Sequence, residues 1–145
     1  MFAVAKNKGV VIAKNIASPT FEEITALKNE VILSISKLDN YFYMSTASKI
    51  YKVDVQYIET TVTDKNLVSW KNSAGKTFSQ VVPSATIVKA VEINNKLYIL
   101  TTKGLYDTEF NKQYGISSKV NAIYKYTQYL FVCTSTGLYI IYGSS

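Results

Sequence analysis

The chain has 145 residues, the size of one compact domain, and we predict a single domain over residues 1–145. Hydrophobic residues make up 48% of it and charged residues 18%, a balance that excludes a disordered protein. The net charge of +6 comes from lysine alone, and without the arginine guanidinium we expect no sequence-specific nucleic-acid binding. The abundance of Tyr, Val, Ile and Thr favours β-strands.

The sequence contains no histidine, which excludes Ser-His-Asp and Cys-His catalysis and metal sites built on imidazole. Gly75-Lys76-Thr77 ends like a phosphate-binding loop, but Trp70 stands where the first glycine of that loop belongs. A glycosidase-type pair of distant carboxylates is the one hydrolytic arrangement left open. We therefore expect no enzymatic activity, no cofactor and no metal site.

The first residues lack a basic start followed by a long apolar stretch, and no run of about 18 apolar residues occurs in the chain. We predict no secretory signal, no membrane span, and an intracellular or virion-associated protein. Residues 2–12 carry the apolar pattern of a strand pair, with Gly9 at the start of its second strand.

Residues 20–27 fit two different elements. Thr20 and Glu23 match a capping box, and Ile24 and Leu27 share one helical face with Phe21, which favours a short α-helix. An outer strand with irregular alternation is the other interpretation.

Three later segments align with one another without gaps: residues 35–51, 90–106 and 123–139. Each contains a strand, a polar turn, an apolar strand, a small polar turn and a strand with an aliphatic residue and Tyr, so each predicts a three-stranded antiparallel meander. Gly104 and Gly137 supply positive φ at the second turn, whereas Lys49 takes this place in the first copy and predicts a turn that is either different or strained. Residues 2–12 and 67–78 match the pattern in partial or degenerate form.

These meanders resemble the blades of β-propellers and are similar in particular to two-component-regulator-type propeller repeats. The resemblance rests on the Thr-Lys-Gly-Leu-Tyr of residues 102–106 and the Thr-Gly-Leu-Tyr of residues 136–139. It implies an all-β fold of repeated antiparallel meanders, a compact or partial β-propeller. In a closed ring, residues 2–12 would lie beside residues 123–142; ring completion by a second copy and an open stack of sheets are the alternatives.

Cysteine and aromatic residues provide the remaining candidates. Cys133 has no disulfide partner and follows the apolar run of residues 130–132, so we predict a buried core thiol. Tyr and Trp suit core packing, but their rigid rings also suit binding surfaces. The candidate contact residues are Trp70, Tyr41, Tyr98 and Tyr129.

With no reaction motif in the chain, we expect a non-enzymatic structural or protein-interaction module, with a protein partner or self-assembly. A small chain rich in Tyr, Asn, Lys and Ile also resembles components of virus or bacteriophage particles. The alternative function is a lectin-like propeller that binds carbohydrate by aromatic stacking and by hydrogen bonds from turns such as Asn94-Asn95. Nonspecific polyanion binding through lysine is a third hypothesis.

Overall fold

The computed structural model describes residues 2–4, 9–13, 21–57, 62 and 65–143. Over these residues the strands form four separate antiparallel sheets that follow one another along the sequence. Each sheet is built from consecutive strands, so neighbouring strands in space are also neighbours in the chain. The predicted all-β fold of antiparallel meanders is confirmed.

The first sheet contains β1 (Phe2–Val4), β2 (Val10–Ala13) and β3 (Phe21–Glu23), in the order β1-β2-β3. Of the two interpretations of residues 20–27, the strand is confirmed over Phe21–Glu23, and the α-helix is wrong for the described residues, because pairing with β2 holds β3 extended. A single 3₁₀ turn follows at Thr25–Leu27, and Thr20 lies outside the described residues.

The closed-ring arrangement, in which residues 2–12 and residues 123–142 of one chain share a sheet, is not formed by the described residues. Within the described residues, β1 and β2 pair with each other and with β3, and no strand of the first sheet pairs with the last sheet. The reason is that β3 supplies the third strand that the N-terminal copy lacks. The chain therefore stacks its sheets without joining its two ends in one of them.

The second sheet contains β4 (Ser34–Leu38), β5 (Tyr41–Ser45), β6 (Ile50–Asp54) and β7 (Leu67–Ser69), with a 3₁₀ turn at Val55–Tyr57 after β6. The degenerate copy at residues 67–78 does not form a sheet of its own. Its strand β7 pairs with β6, because Leu67 lies opposite Val53 and both side chains are buried in the same core.

The third sheet contains β8 (Ile87–Ile93), β9 (Lys96–Thr101) and β10 (Gly104–Tyr106), and the fourth contains β11 (Val120–Tyr126), β12 (Tyr129–Thr134) and β13 (Gly137–Tyr142). All three predicted meanders are thus present. The α-helix of the described residues is α1 (Phe78–Val81), which the sequence pattern missed. No helix in the described part of the chain is long and apolar enough to cross a membrane.

The turns follow the predicted chemistry. Gly104 and Gly137 have φ of 131° and 144°, a region that glycine enters without steric cost. Lys49 has no positive φ, so the matching turn of the first copy differs in its backbone conformation. A threonine side chain supports the turn in all three copies: Thr46 Oγ1 accepts a hydrogen bond from the Ser48 N–H at 3.2 Å, Thr101 Oγ1 from the Lys103 N–H at 3.0 Å, and Thr134 Oγ1 from the Thr136 N–H at 3.2 Å.

In the described part of the chain, three hydrophobic cores lie between consecutive sheets. The first contains Val10 with Met44 and Val53, the second Tyr43 and Ile50 with Ile87, Leu97 and Ile99, and the third Tyr98, Leu100 and Leu105 with Leu130 and Val132. Because side chains alternate along a strand, each inner sheet contributes to two cores. We call the side of a sheet toward the next sheet its forward face and the opposite side its backward face.

Polar contacts also join neighbouring sheets. Ser34 Oγ accepts a hydrogen bond from the Ala90 N–H at 2.9 Å, and Ser36 Oγ donates one to the Ala90 carbonyl at 3.0 Å, so β4 and β8 are held side by side. The Tyr51 hydroxyl donates a hydrogen bond to Glu30 Oε1 at 2.8 Å. Burial and this hydrogen bond raise the pKa of Tyr51 to about 12.

Candidate functional site

The forward face of the fourth sheet is apolar and exposed, and we call it the terminal face. The strand register places three rows of paired side chains on it. These rows are Tyr126, Tyr129 and Tyr142, then Tyr124, Phe131 and Ile140, then Ala122, Cys133 and Leu138. None of the nine side chains is charged.

Several members of the terminal face are far more exposed than apolar side chains in a strand usually are. Tyr124, Tyr126, Tyr142, Leu138 and Ile140 each expose between 57% and 65% of their surface. The ring of Tyr129 packs edge-on against that of Tyr142, with centroids 5.5 Å apart, so part of the aromatic surface is held in place before any partner arrives. Contiguous apolar patches of this kind mark interaction sites in folded proteins.

Cys133 belongs to this face, and the prediction of a buried core thiol is wrong, because the side chain is exposed. Leu130 and Val132 do enter the core, but alternation along β12 turns Phe131 and Cys133 to the opposite side. No sheet of the described residues covers that side. A strand that is apolar on both faces was the sequence signal that a second apolar surface is present.

Two of the predicted contact residues, Tyr41 and Trp70, are brought together around Lys52. The Lys52 Nζ lies 3.7 Å from the Tyr41 ring centroid and 4.6 Å from the Trp70 ring centroid, which is cation–π geometry. Trp70 Nε1 donates a hydrogen bond to the Thr108 carbonyl at 3.1 Å, and its ring packs edge-on against Tyr43. Trp70 is therefore a partly buried residue that ties the second sheet to the loop after β10.

The rings of Tyr41 and Trp70 line an open cleft of about 670 Å³. Three lysines, Lys52, Lys65 and Lys71, and one carboxylate, Asp54, also line it, so the cleft is positively charged. Such a surface attracts anions, but its cations are flexible side chains with no fixed fork of donors.

The other two predicted contact residues, Tyr98 and Tyr129, line one cleft of about 950 Å³ between the third and fourth sheets. We call it the inter-sheet cleft. The turn residues Asn94, Asn95 and Gln128 border it. Tyr98 is itself buried, and burial together with a hydrogen bond to Tyr114 raises the pKa of Tyr98 well above its usual value.

Among the described residues, no three His, Cys, Asp or Glu side chains lie close enough to hold a metal ion. The three surfaces present aromatic area, lysine ammonium groups and the amides of turn residues.

Comparison with known proteins assigns no family. No family model matches the chain, and no curated protein is similar to it. Among solved structures, the chain is similar to the crystal structure of the computationally designed Ika4 protein, with 14% sequence identity and a TM-score of 0.40. The match covers 80% of this chain and 93% of the designed chain. At this score the likeness carries no argument about fold or function.

Proposed function

We propose that the chain is a non-enzymatic structural or protein-interaction module whose binding surface is the terminal face. In this proposal its sheets form an open arc, a partial β-propeller, that ends in a sheet with one uncovered side. The observation that carries the proposal is the set of nine adjacent uncharged side chains on an exposed sheet face.

The composition of the terminal face suits contact with a protein. Tyrosine is enriched where binding energy concentrates, because its rigid ring supplies contact area at low cost in conformational entropy. The four tyrosines of the face, Tyr124, Tyr126, Tyr129 and Tyr142, stand on strands whose pairing within the sheet includes each of these residues. A partner would therefore meet a surface whose backbone is already ordered, which reduces the entropy lost on binding.

The assembly to which such a module belongs is, in this proposal, a virus or bacteriophage particle. The support for it is the composition, rich in Tyr, Asn, Lys and Ile, together with a chain that offers contact surfaces and no reaction chemistry.

The sole cysteine of the chain, Cys133, reports on the terminal face. We expect a maleimide to label Cys133 more slowly in an extract of the source cells than in dilute purified protein, because a partner covers the face. Ile140→Glu should abolish this protection, since a charge that a partner would bury without a counter-charge opposes binding. Ile140 is 58% exposed, so the variant keeps its fold.

Val31→Glu is the matched control, because Val31 is 48% exposed and lies outside the terminal face. This variant should show the same protection of Cys133 as the unchanged chain. Equal labelling rates for all three proteins, in extract and in dilute solution, would contradict the proposed function.

Carbohydrate binding is the second candidate, and the inter-sheet cleft is the observation that favours it. Tyr98 and Tyr129 line this cleft, and the side chains of Asn94, Asn95 and Gln128 offer amide hydrogen bonds. A glycan array separates the two functions: a signal that Gln128→Ala weakens supports the lectin, and no signal leaves the protein module.

A further inference from the structure

We propose that the partner of the terminal face is the first sheet of a second copy of this chain, so that the stacking of sheets continues from one chain into the next. This inference rests on the proposed function and names the partner of the same surface. It follows from the polarity of the stacking, from the aligned positions of the meanders, from Val11 and Glu23 on the backward face of the first sheet and from the area available.

The stacking has one polarity along the whole chain. In each core, the forward face of one sheet meets the backward face of the next. The residue pairs that show this are Val10 and Met44 in the first core, Ile50 and Ile99 in the second, and Leu105 and Val132 in the third. The same kind of contact thus occurs between every pair of consecutive sheets. The fourth sheet has a forward face that no described part of the chain covers.

The aligned meanders show what normally covers such a face. Ile50, Leu105 and Leu138 occupy the same position in residues 35–51, 90–106 and 123–139. The first two are 2% and 0% exposed, because the next sheet lies over them, whereas Leu138 is 57% exposed. Leu138 is therefore an aliphatic side chain at the equivalent position, and it is exposed because no following sheet covers it.

The aromatic position of β5 and β9 leads to the same conclusion. Tyr43 and Tyr98 are buried on the forward faces of the second and third sheets, at 5% and 7% exposure. Phe131 is their equivalent in the fourth sheet and faces outward between Tyr124 and Ile140. The terminal face is thus equivalent to the forward faces of the second and third sheets, and each of those is covered by the backward face of the sheet that follows it.

The first sheet of a second copy offers a backward face of this kind. In β2, Val10 enters the first core, so the next residue, Val11, belongs to the opposite face, where it pairs with Glu23 of β3. Val11 is half-buried and Glu23 is exposed. Tyrosine hydroxyls of the terminal face are donors for the Glu23 carboxylate, in the way that Tyr51 donates to Glu30 within this chain.

The area of the terminal face is sufficient for a stable contact. Six of its side chains are roughly half exposed and aromatic or branched, which gives on the order of 700 Å² of accessible surface. A standard protein interface buries about 800 Å² on each partner. Because the contact joins two different faces, it is heterologous, and its repetition gives a closed ring or an open fibre.

The first test is the mass of the purified chain in solution at micromolar concentration. We expect a dimer or larger assembly for the unchanged chain and for Val31→Glu. Ile140→Glu should be a monomer with unchanged circular dichroism and an association weaker by at least about 100-fold. A monomeric unchanged chain would overturn this inference but leave the proposed function intact if Cys133 is still protected in extract.

The second test distinguishes stacking on the first sheet from contact between two terminal faces. In Glu23→Cys, a flexible bis-maleimide should link the new cysteine to Cys133 of a second copy. The link should be absent from the unchanged chain, which has Cys133 alone, and from the double variant Glu23→Cys, Cys133→Ser. Cross-linked dimers of the unchanged chain would mean that two terminal faces meet, and the inference would then be wrong.

Discussion

Replacing Gly104 with alanine is expected to lower the free energy of unfolding by about 3 to 5 kcal/mol, an exceptional loss for one added methyl group. A Cβ at this position would lie 2.1 Å from the carbonyl oxygen of Ile116, which is backbone and cannot rotate away. The φ of Gly104, 131°, adds strain for any L side chain. Denaturation in urea, followed by circular dichroism, measures the loss.

Gly137→Ala is the matched control, because Gly137 has the same place in its meander and a φ of 144°. No heavy atom lies within 4 Å of the Cβ that it would gain. We therefore expect only the backbone cost, about 1 to 2 kcal/mol. Equal losses at the two glycines would show that the contact with Ile116 gives way easily and that backbone strain alone is measured.

Phe78→Ala should cost about 3 to 5 kcal/mol, the range for a large aromatic removed from a core. Phe78 is 2% exposed, and its ring makes edge contacts with Tyr106 and Phe110, each at 5.4 Å between centroids. Its removal leaves a cavity beside the third sheet. Urea denaturation gives the free energy, and near-ultraviolet circular dichroism reports the loss of tyrosine packing.

Val81→Ala on the same short helix controls for helix propensity. Val81 is 38% exposed, so we expect a change within about 0.5 kcal/mol. If both variants lose the same free energy, the helix itself, and not the burial of Phe78, determines the stability of this region.

The meanders were predictable because their signals are local: alternation within a strand and glycine or asparagine at a turn. Asn94 and Asn95 adopt φ of 53° and 61°, as a two-residue hairpin turn requires, and the dipeptide alone indicates this. Where the prediction of an element was wrong, tertiary contacts determine the observed structure. A capping pattern at residues 20–23 favoured a helix, but pairing with β2 keeps Phe21–Glu23 extended.

The same kind of pattern recurs where the helix does form. The Thr77 N–H donates a hydrogen bond to Gln80 Oε1 at 2.8 Å. The burial of Phe78 stabilises the four-residue helix, which is too short to be stable by itself. The sequence alone could not show which of the two capping patterns, at residues 20–23 or 77–80, begins a helix, because the outcome depends on what each segment packs against.

The candidate contact residues were chosen by residue type, and the structure places them in pairs: Tyr41 and Trp70 line one cleft, and Tyr98 and Tyr129 line another. The terminal face was missed apart from Tyr129, because apolar residues on both sides of β12 predict burial on both sides, as they did for Cys133. Apolar periodicity predicts that a strand face is buried, but it does not show whether the residues that bury it belong to the same chain.

The consecutive order of the sheets has a consequence for synthesis. Because each sheet forms from strands that are adjacent in sequence, it can form soon after its last strand leaves the ribosome. At that moment its forward face is bare, and the next meander to emerge covers it. The forward faces of the first three sheets are thus exposed only briefly during synthesis, whereas the forward face of the fourth sheet stays uncovered by the described residues.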